Sequence, residues 1–205
     1  MNAPAQPMIR LVDDDPQVLK AQSRLLREHG FRTACFESSE AFLEQHDPGV
    51  GGCVVLDVSL PGLDGLELQR QLSQAGNALP IVFVTGVGDI PSSVRAIKAG
   101  AVDFLTKPVP AQTLLAAVRA ALEQDASMRA SQQEVALIRQ RHAGLSVRER
   151  EVLAGLVAGK LNKQIASELG IAEATVKFHR ARLMDHMQAR TVAELMHLAA
   201  RLGVN

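Results

Sequence analysis

The sequence predicts two domains in series, an α/β doubly wound five-stranded parallel sheet followed by an all-α unit of four short helices. Three features carry that reading. Over the first 120 residues, short β-branched runs alternate five times with longer amphipathic stretches. Beyond residue 144 the apolar spacing becomes helical, with start and stop signals at short intervals. Between the two, residues 123–143 are polar, rich in good helix formers and free of Gly and Pro. A chain of 205 residues suits two small domains, and its 47% hydrophobic share beside 21% charged residues argues against disorder.

The strand candidates are Met8–Val12, Arg32–Phe36, Cys53–Asp57, Ile81–Thr85 and Asp103–Leu105, with helices expected near 16–29, 38–46, 64–75, 91–99 and 110–123. Strand-then-helix order repeated in this way implies helices on both faces of a parallel sheet. Right-handed crossovers then bring the carboxyl ends of the strands to one edge, where such sheets carry their chemistry. The expected boundaries are a disordered start at 1–7, the sheet domain at 8–122, a helical linker at 123–143 and the helical domain at 144–205.

In the helical domain, Ser146 opens Ser-Val-Arg-Glu, a capping-box pattern in which its hydroxyl and the Glu149 carboxylate satisfy free backbone donors. Gly159 and Gly170 are stop signals for the first two helices, and Asn162 is placed to cap the second, Lys163–Leu169. The third is expected from Glu173 to Met187. The fourth, 191–202, repeats apolar residues at Val192, Leu195, Met196, Ala199 and Leu202. Ile165, Ala166, Leu169, Ile171, Val176, Leu183 and Met187 form an inner seam. That seam turns Lys177, Phe178 and Ala181 outward on the third helix, with Arg180 and Arg182 beside them.

The formal charge of zero conceals an asymmetry. Residues 1–123 hold fourteen Asp and Glu against ten Lys and Arg, whereas residues 144–205 hold nine Lys and Arg against six Asp and Glu. A polyanionic partner is therefore expected at the back half alone. No apolar run is long enough to cross a bilayer, and residues 1–7 lack the features of a secretion signal, so a cytoplasmic protein is expected. Cys35 and Cys53 lie in apolar strand-like runs, in no metal-ligand spacing, and are expected as buried reduced thiols.

On this frame the acidic residues converge. Asp13, Asp14 and Asp15 follow the first strand, Asp57 ends the third, Thr85 ends the fourth and Lys107 follows the fifth. Carboxylates from two strand ends form a hard-oxygen site suited to Mg²⁺.

Leu11-Val12-Asp13-Asp14-Asp15, Val55-Leu56-Asp57-Val58-Ser59-Leu60-Pro61-Gly62, Val84-Thr85-Gly86 and Phe104-Leu105-Thr106-Lys107-Pro108 resemble the motifs of the receiver domain, a flavodoxin-like fold, in order and spacing. The resemblance implies that Asp57 accepts phosphate from a partner histidine kinase. It implies Mg²⁺ or Mn²⁺ bound by Asp14, Asp57 and the backbone carbonyl of Ser59, with Asp13 acting through water. Lys107 would pair with the phosphoryl oxygens, and the Lys107–Pro108 peptide is expected to be cis. Thr85 and Phe104 would move as a switch, the face of the fourth helix, fifth strand and fifth helix would pair two receivers, and Ser59 and Val87 would tune the lifetime of the mark.

Leu145-Ser146-Val147-Arg148-Glu149-Arg150-Glu151-Val152-Leu153, Gly159-Lys160-Leu161-Asn162-Lys163-Gln164-Ile165-Ala166 and Ala174-Thr175-Val176-Lys177-Phe178-His179 resemble the LuxR-type helix-turn-helix domain. Taken together, the chain resembles the NarL/FixJ family of response regulators. That implies a non-enzymatic transcription factor that dimerises on activation, binds an inverted repeat in promoter DNA and addresses RNA polymerase. By the same resemblance, Lys163, Thr175, Lys177, Phe178, Arg180, Ala181 and Arg182 would meet DNA, and the last helix would pair two domains. Some relatives carry a second Lys where Ala181 stands. For Phe178, contact with a thymine methyl and packing against its own domain are both open. His179 has no partner at ligand spacing and reads as a packing or phosphate-contact residue rather than a metal ligand.

Two rival readings remain. A Mg²⁺-dependent phosphatase with an aspartyl nucleophile would need a second Asp two residues after Asp57, where Ser59 stands. A phosphorylation-controlled adaptor would dock a protein on its helical end, against the sense of the basic third helix.

Overall fold

The computed structural model describes residues 6–76, 79–86 and 90–203. Of the expected disordered start only Gln6 and Pro7 fall within them, and Val87 lies outside them. The chain divides into two compact units, Met1–Arg129 and Ala130–Asn205.

The first unit alternates β1 (Met8–Val12), α1 (Pro16–Glu28), β2 (Arg32–Phe36), α2 (Ser39–Gln45), β3 (Gly52–Leu56), α3 (Gly65–Gln74), β4 (Ile81–Thr85), α4 (Ile90–Lys98), β5 (Asp103–Thr106) and α5 (Ala111–Ala143). All strand pairs are parallel, in the order β2-β1-β3-β4-β5. The period of two along each strand sorts the core. Ile9, Leu11, Cys53, Val55, Val82 and Val84 meet Leu19 and Leu26 of α1 and Leu114, Leu115 and Val118 of α5. Val12, Val54, Leu56, Ile81 and Phe83 turn the other way, onto Phe42 of α2, Leu68 and Leu72 of α3 and Ala96 of α4.

One expectation about the thiols is corrected. Cys53 is fully buried, and burial pushes its pKa up to about 12, but Cys35 is exposed. The reason is position: β2 is an edge strand, so part of its surface has no covering layer.

The amino ends of β1 and β3 are held by a charged network that the sequence reading did not anticipate. Asp125 of α5 is buried and accepts from the Gly52 amide at 2.8 Å. Arg129 spans the same carboxylate through Nε at 2.9 and 3.0 Å and also donates to the carbonyls of Pro48 and Gly49. Buried Arg10 donates to the carbonyls of Met8, Asp47 and Val50. The two glycines follow from this packing. A Cβ on Gly51 would stand 2.7 Å from Asp125 Oδ2, and one on Gly52, whose φ is +140°, 1.9 Å from the Met8 carbonyl oxygen.

The second unit is helical. The end of α5 contributes Ile138 to its core, followed by α6 (Val147–Val157), α7 (Asn162–Leu169), α8 (Glu173–Met187) and α9 (Val192–Arg201). Ser146 caps α6, and both halves of the box form: Glu149 N donates to Ser146 Oγ and Ser146 N to Glu149 Oε2. Asn162 is corrected from cap to first residue of α7. The Leu161 amide is satisfied by Gln164 Oε1 at 2.7 Å, which frees Asn162 Oδ1 to accept from Arg180 Nη1 at 3.1 Å. Gly170 ends α7 in the left-handed region at φ +64°, and the tight turn delivers the chain into α8. The expected seam is buried at Ile165, Ala166, Val176, Leu183 and Met187, with Leu169 and Ile171 packed against it.

Candidate functional site

Ladder bonds align the strand ends that carry the acidic residues. Asp57 N donates to the Val12 carbonyl at 2.9 Å, Asp13 N to that of Phe36 at 3.2 Å, and Lys107 N to that of Thr85 at 2.8 Å. The side chains of three separate segments therefore share one edge of the sheet.

Lys107 Nζ donates to Asp57 Oδ2 and to Asp13 Oδ2, both at 2.6 Å. The remaining oxygens are oriented by local turns. Asp57 Oδ1 accepts from the Ser59 amide and Asp13 Oδ1 from the Asp15 amide, each at 3.0 Å. Asp15 in turn caps α1, accepting from Gln17 N ahead of Pro16 in the first turn. Asp13 and Asp57 are buried and Asp14 is exposed. Burial pushes the Asp13 carboxyl above its ordinary value, against the lowering by Lys107 and the Asp15 amide. For Lys107 burial acts downward, but the bonds to Asp13 and Asp57 outweigh it and hold the ammonium above its ordinary value. One ammonium faces two carboxylates at 2.6 Å, so the charged form of Lys107 is the favoured one.

The donor set fits a hard divalent cation. One carboxylate oxygen each from Asp13, Asp14 and Asp57 lie within 4.8 Å of one another, and it is the one group of three metal-competent side chains found among the described residues. Three carboxylates against a single ammonium leave excess negative charge, and all-oxygen donors suit Mg²⁺ or Mn²⁺. Ser59 follows Asp57 on the exposed rim.

Thr85 is fully buried at the end of β4, in register with Thr106 of β5. Phe104 pairs with Phe83 in the same ladder, its ring centroid 5.9 Å from that of Phe83, and it is half-buried rather than enclosed. The Lys107–Pro108 peptide is cis.

In the second unit, the exposed side of α8 carries Thr175, Lys177, Phe178, Ala181 and Arg182, and Lys163 is exposed on α7. Arg180 is half-buried and tied to Asn162. Lys177 pairs with Glu173 at 3.1 Å on the helix surface. Phe178 is 57% exposed, with the Arg182 guanidinium 5.8 Å from its ring centre. Glu149 does more than cap α6. Almost wholly buried, it also meets His186 Nδ1 at 3.2 Å and Arg182 Nε at 3.6 Å, so it ties α6 to α8. The Ser-Val-Arg-Glu pattern predicts only the capping box, because pairing between 149 and 186 leaves no periodic trace.

No helix among the described residues is long and apolar enough to cross a membrane.

Comparison with known proteins finds matches in both units. The family model described as the response regulator receiver domain matches residues 9–119, and that described as bacterial regulatory proteins, luxR family, matches residues 143–199. The chain is 44% identical over 195 residues to the response regulator protein TodT of Pseudomonas putida, covering 95% of this chain and 86% of that one. It is 42% identical over 197 residues to the transcriptional regulatory protein FixJ of Bradyrhizobium diazoefficiens, covering 96% of each. Among solved structures, a low-resolution structure of the response regulator StyR superposes with a TM-score of 0.85 at 44% identity, covering 96% of this chain and all of that one. The chain belongs to the response regulators that join a receiver domain to a LuxR-type DNA-binding domain, the family of TodT and FixJ.

Proposed function

We propose that the protein is a two-component transcription factor switched by phosphorylation of Asp57 by a partner histidine kinase in the cytoplasm. The observation that carries this is the Lys107 ammonium, bonded at 2.6 Å to both Asp57 and Asp13 in a buried acidic cluster at the carboxyl edge of the sheet. Asp57 Oδ attacks the phosphorus of the kinase phosphohistidine; an O–P bond forms, the P–N bond breaks and its electron pair stays on the imidazole. Lys107 exchanges a carboxylate partner for a phosphoryl oxygen, countering the charge that gathers there. Asp14, Asp57 and the Ser59 carbonyl, with Asp13 nearby, would hold a Mg²⁺ or Mn²⁺, which would supply further positive charge for the phosphoryl oxygens. Water later hydrolyses the acyl phosphate, so Asp57 takes part only in its own modification.

Phosphorylation adds roughly −1.5 to −2 charges beside Thr85 and Lys107. The Thr85 hydroxyl turns toward the phosphoryl group and Phe104, only half-buried, moves into the space it leaves. The changed α4–β5–α5 face pairs two receivers, and inverting a 1:99 equilibrium takes roughly 5.5 kcal/mol, shared between the phosphoryl contacts and the dimer contacts. Residues 123–143 act as the linker. Two helical domains, paired through α9, then place α8 in successive major grooves of an inverted repeat at a promoter. There Lys163, Thr175, Lys177 and Arg182 address DNA, Arg180 steadies α7 against α8, and bound dimers act on RNA polymerase. The test compares the acetyl phosphate-treated full chain with Asp57→Asn. Light scattering should show a dimer, and selection from random DNA should recover an inverted repeat, for wild type only; a monomer that recovers no sequence in either state contradicts the reading.

A further inference from the structure

We propose that Phe178 reads the 5-methyl group of thymine in the major groove, with Ala174 and Ala181 completing an apolar reading strip along α8. The inference rests on α8 being the DNA-reading helix.

Val176, Leu183 and Met187 are buried and fix which side of α8 faces its own domain. Ala174, Thr175, Lys177, Phe178, Ala181, Arg182 and Asp185 are all exposed. The chain has six Phe and no Trp or Tyr, and the other five lie between residues 31 and 104. The single Phe of the second unit thus stands 57% exposed, outside that unit's core. Its neighbours along the helix surface are residues three and four away. Ala174, Thr175 and Ala181 are too small to cover it, Arg182 holds its guanidinium 5.8 Å from the ring centre, and the adjacent His179 ring meets it edge-on at 5.4 Å, which leaves its outer side free.

The outcome is an apolar strip edged by Lys177 and Arg182. Major-groove DNA presents the complementary arrangement: phosphates along both margins and base edges on the floor, where the thymine methyl is the one apolar group. A phenyl ring over guanine or cytosine would desolvate hydrogen-bonding atoms without replacing their partners, which is unfavourable. Over thymine it covers carbon with carbon.

The experiment takes the site selected from random DNA by the full chain, with and without acetyl phosphate, and replaces its thymines one at a time with deoxyuridine. That removes a methyl group and nothing else. Wild type should lose about fourfold in affinity at one or two thymines per half-site, corresponding to ~0.8 kcal/mol for one buried carbon. Phe178→Ala should bind the thymine and deoxyuridine sites alike, and Phe178→Leu should keep part of the difference. An unchanged thermal midpoint for both variants shows that they remain folded, as the exposure of the ring leads one to expect. If no thymine is methyl-sensitive, or if Phe178→Ala keeps the full sensitivity, the inference is overturned while DNA recognition stands. Recovery of no site in either state overturns the DNA-reading assignment and this inference together.

Discussion

Lys107 Nζ stands 2.6 Å from Asp57 Oδ2, although fifty residues separate the two in sequence. The same ammonium is equally close to Asp13, so one cation organises two carboxylates from different strand ends. Without it the pair would hold adjacent negative charges in a largely buried place, and any phosphoryl group arriving there would add more.

Lys107→Ala should therefore slow Asp57 phosphorylation by acetyl phosphate by about a hundredfold, the scale seen when one donor to a developing charge is removed. The ammonium is partly solvent-exposed, so the fold should persist. Intact mass against time measures the rate; a variant that gains the adduct as fast as wild type assigns Lys107 no part in the chemistry.

The network at the amino edge makes a graded prediction. Gly52→Ala places a Cβ 1.9 Å from a backbone oxygen at a φ of +140°, so it should abolish stable folding of the first unit. Gly51→Ala meets only side-chain atoms of Asp125 and Arg129, and should cost less. Asp125→Ala strips the Gly52 amide and Arg129 of their shared acceptor, for a loss of roughly 2 kcal/mol. Urea unfolding of the three variants checks the order; a Gly51→Ala protein less stable than Gly52→Ala contradicts the packing described.

Glu149 supplies a pH dependence. Burial pushes its carboxyl up, but the Ser146 amide and hydroxyl and the His186 ring outweigh it and hold it below the ordinary 4.5. The unfolded carboxyl therefore binds its proton more tightly than the folded one. Its contribution is fully present above about 4.5 and fades as pH falls through the lower, folded value. Glu149→Gln keeps an oxygen for the Ser146 amide but loses the charge facing His186 and Arg182. It should lower stability by roughly 1 kcal/mol at neutral pH. The gap from wild type should narrow below pH 4.5 in denaturant titrations, and a gap that widens there would reverse the assigned sign.

Much of this architecture is legible in the sequence because periodicity and caps are local signals. Met8–Val12, Arg32–Phe36, Ile81–Thr85 and Glu173–Met187 form at the bounds that the sequence suggests. The pocket residues are legible for a different reason. Once the sheet is parallel, residues at the ends of β1, β3, β4 and β5 must share an edge. What the sequence hides is pairing between distant residues. Nothing local indicates that Gly51 and Gly52 answer to Asp125 and Arg129, or that Glu149 reaches His186. Asn162 misleads because the helix starts one residue earlier, with the Leu161 amide satisfied by Gln164 Oε1, and the Asn162 oxygen is taken by Arg180. Cys35 misleads because an apolar run does not announce that its strand lies at the sheet edge.

The central claim is that Asp57 carries the switch. Intact mass after incubation with acetyl phosphate and Mg²⁺ tests it directly, with Asp57→Asn alongside. The account predicts a single phosphoryl adduct on wild type and none on the variant. No adduct on wild type, or one that survives the substitution, would contradict it and assign control of the DNA-binding domain to something other than aspartyl phosphate.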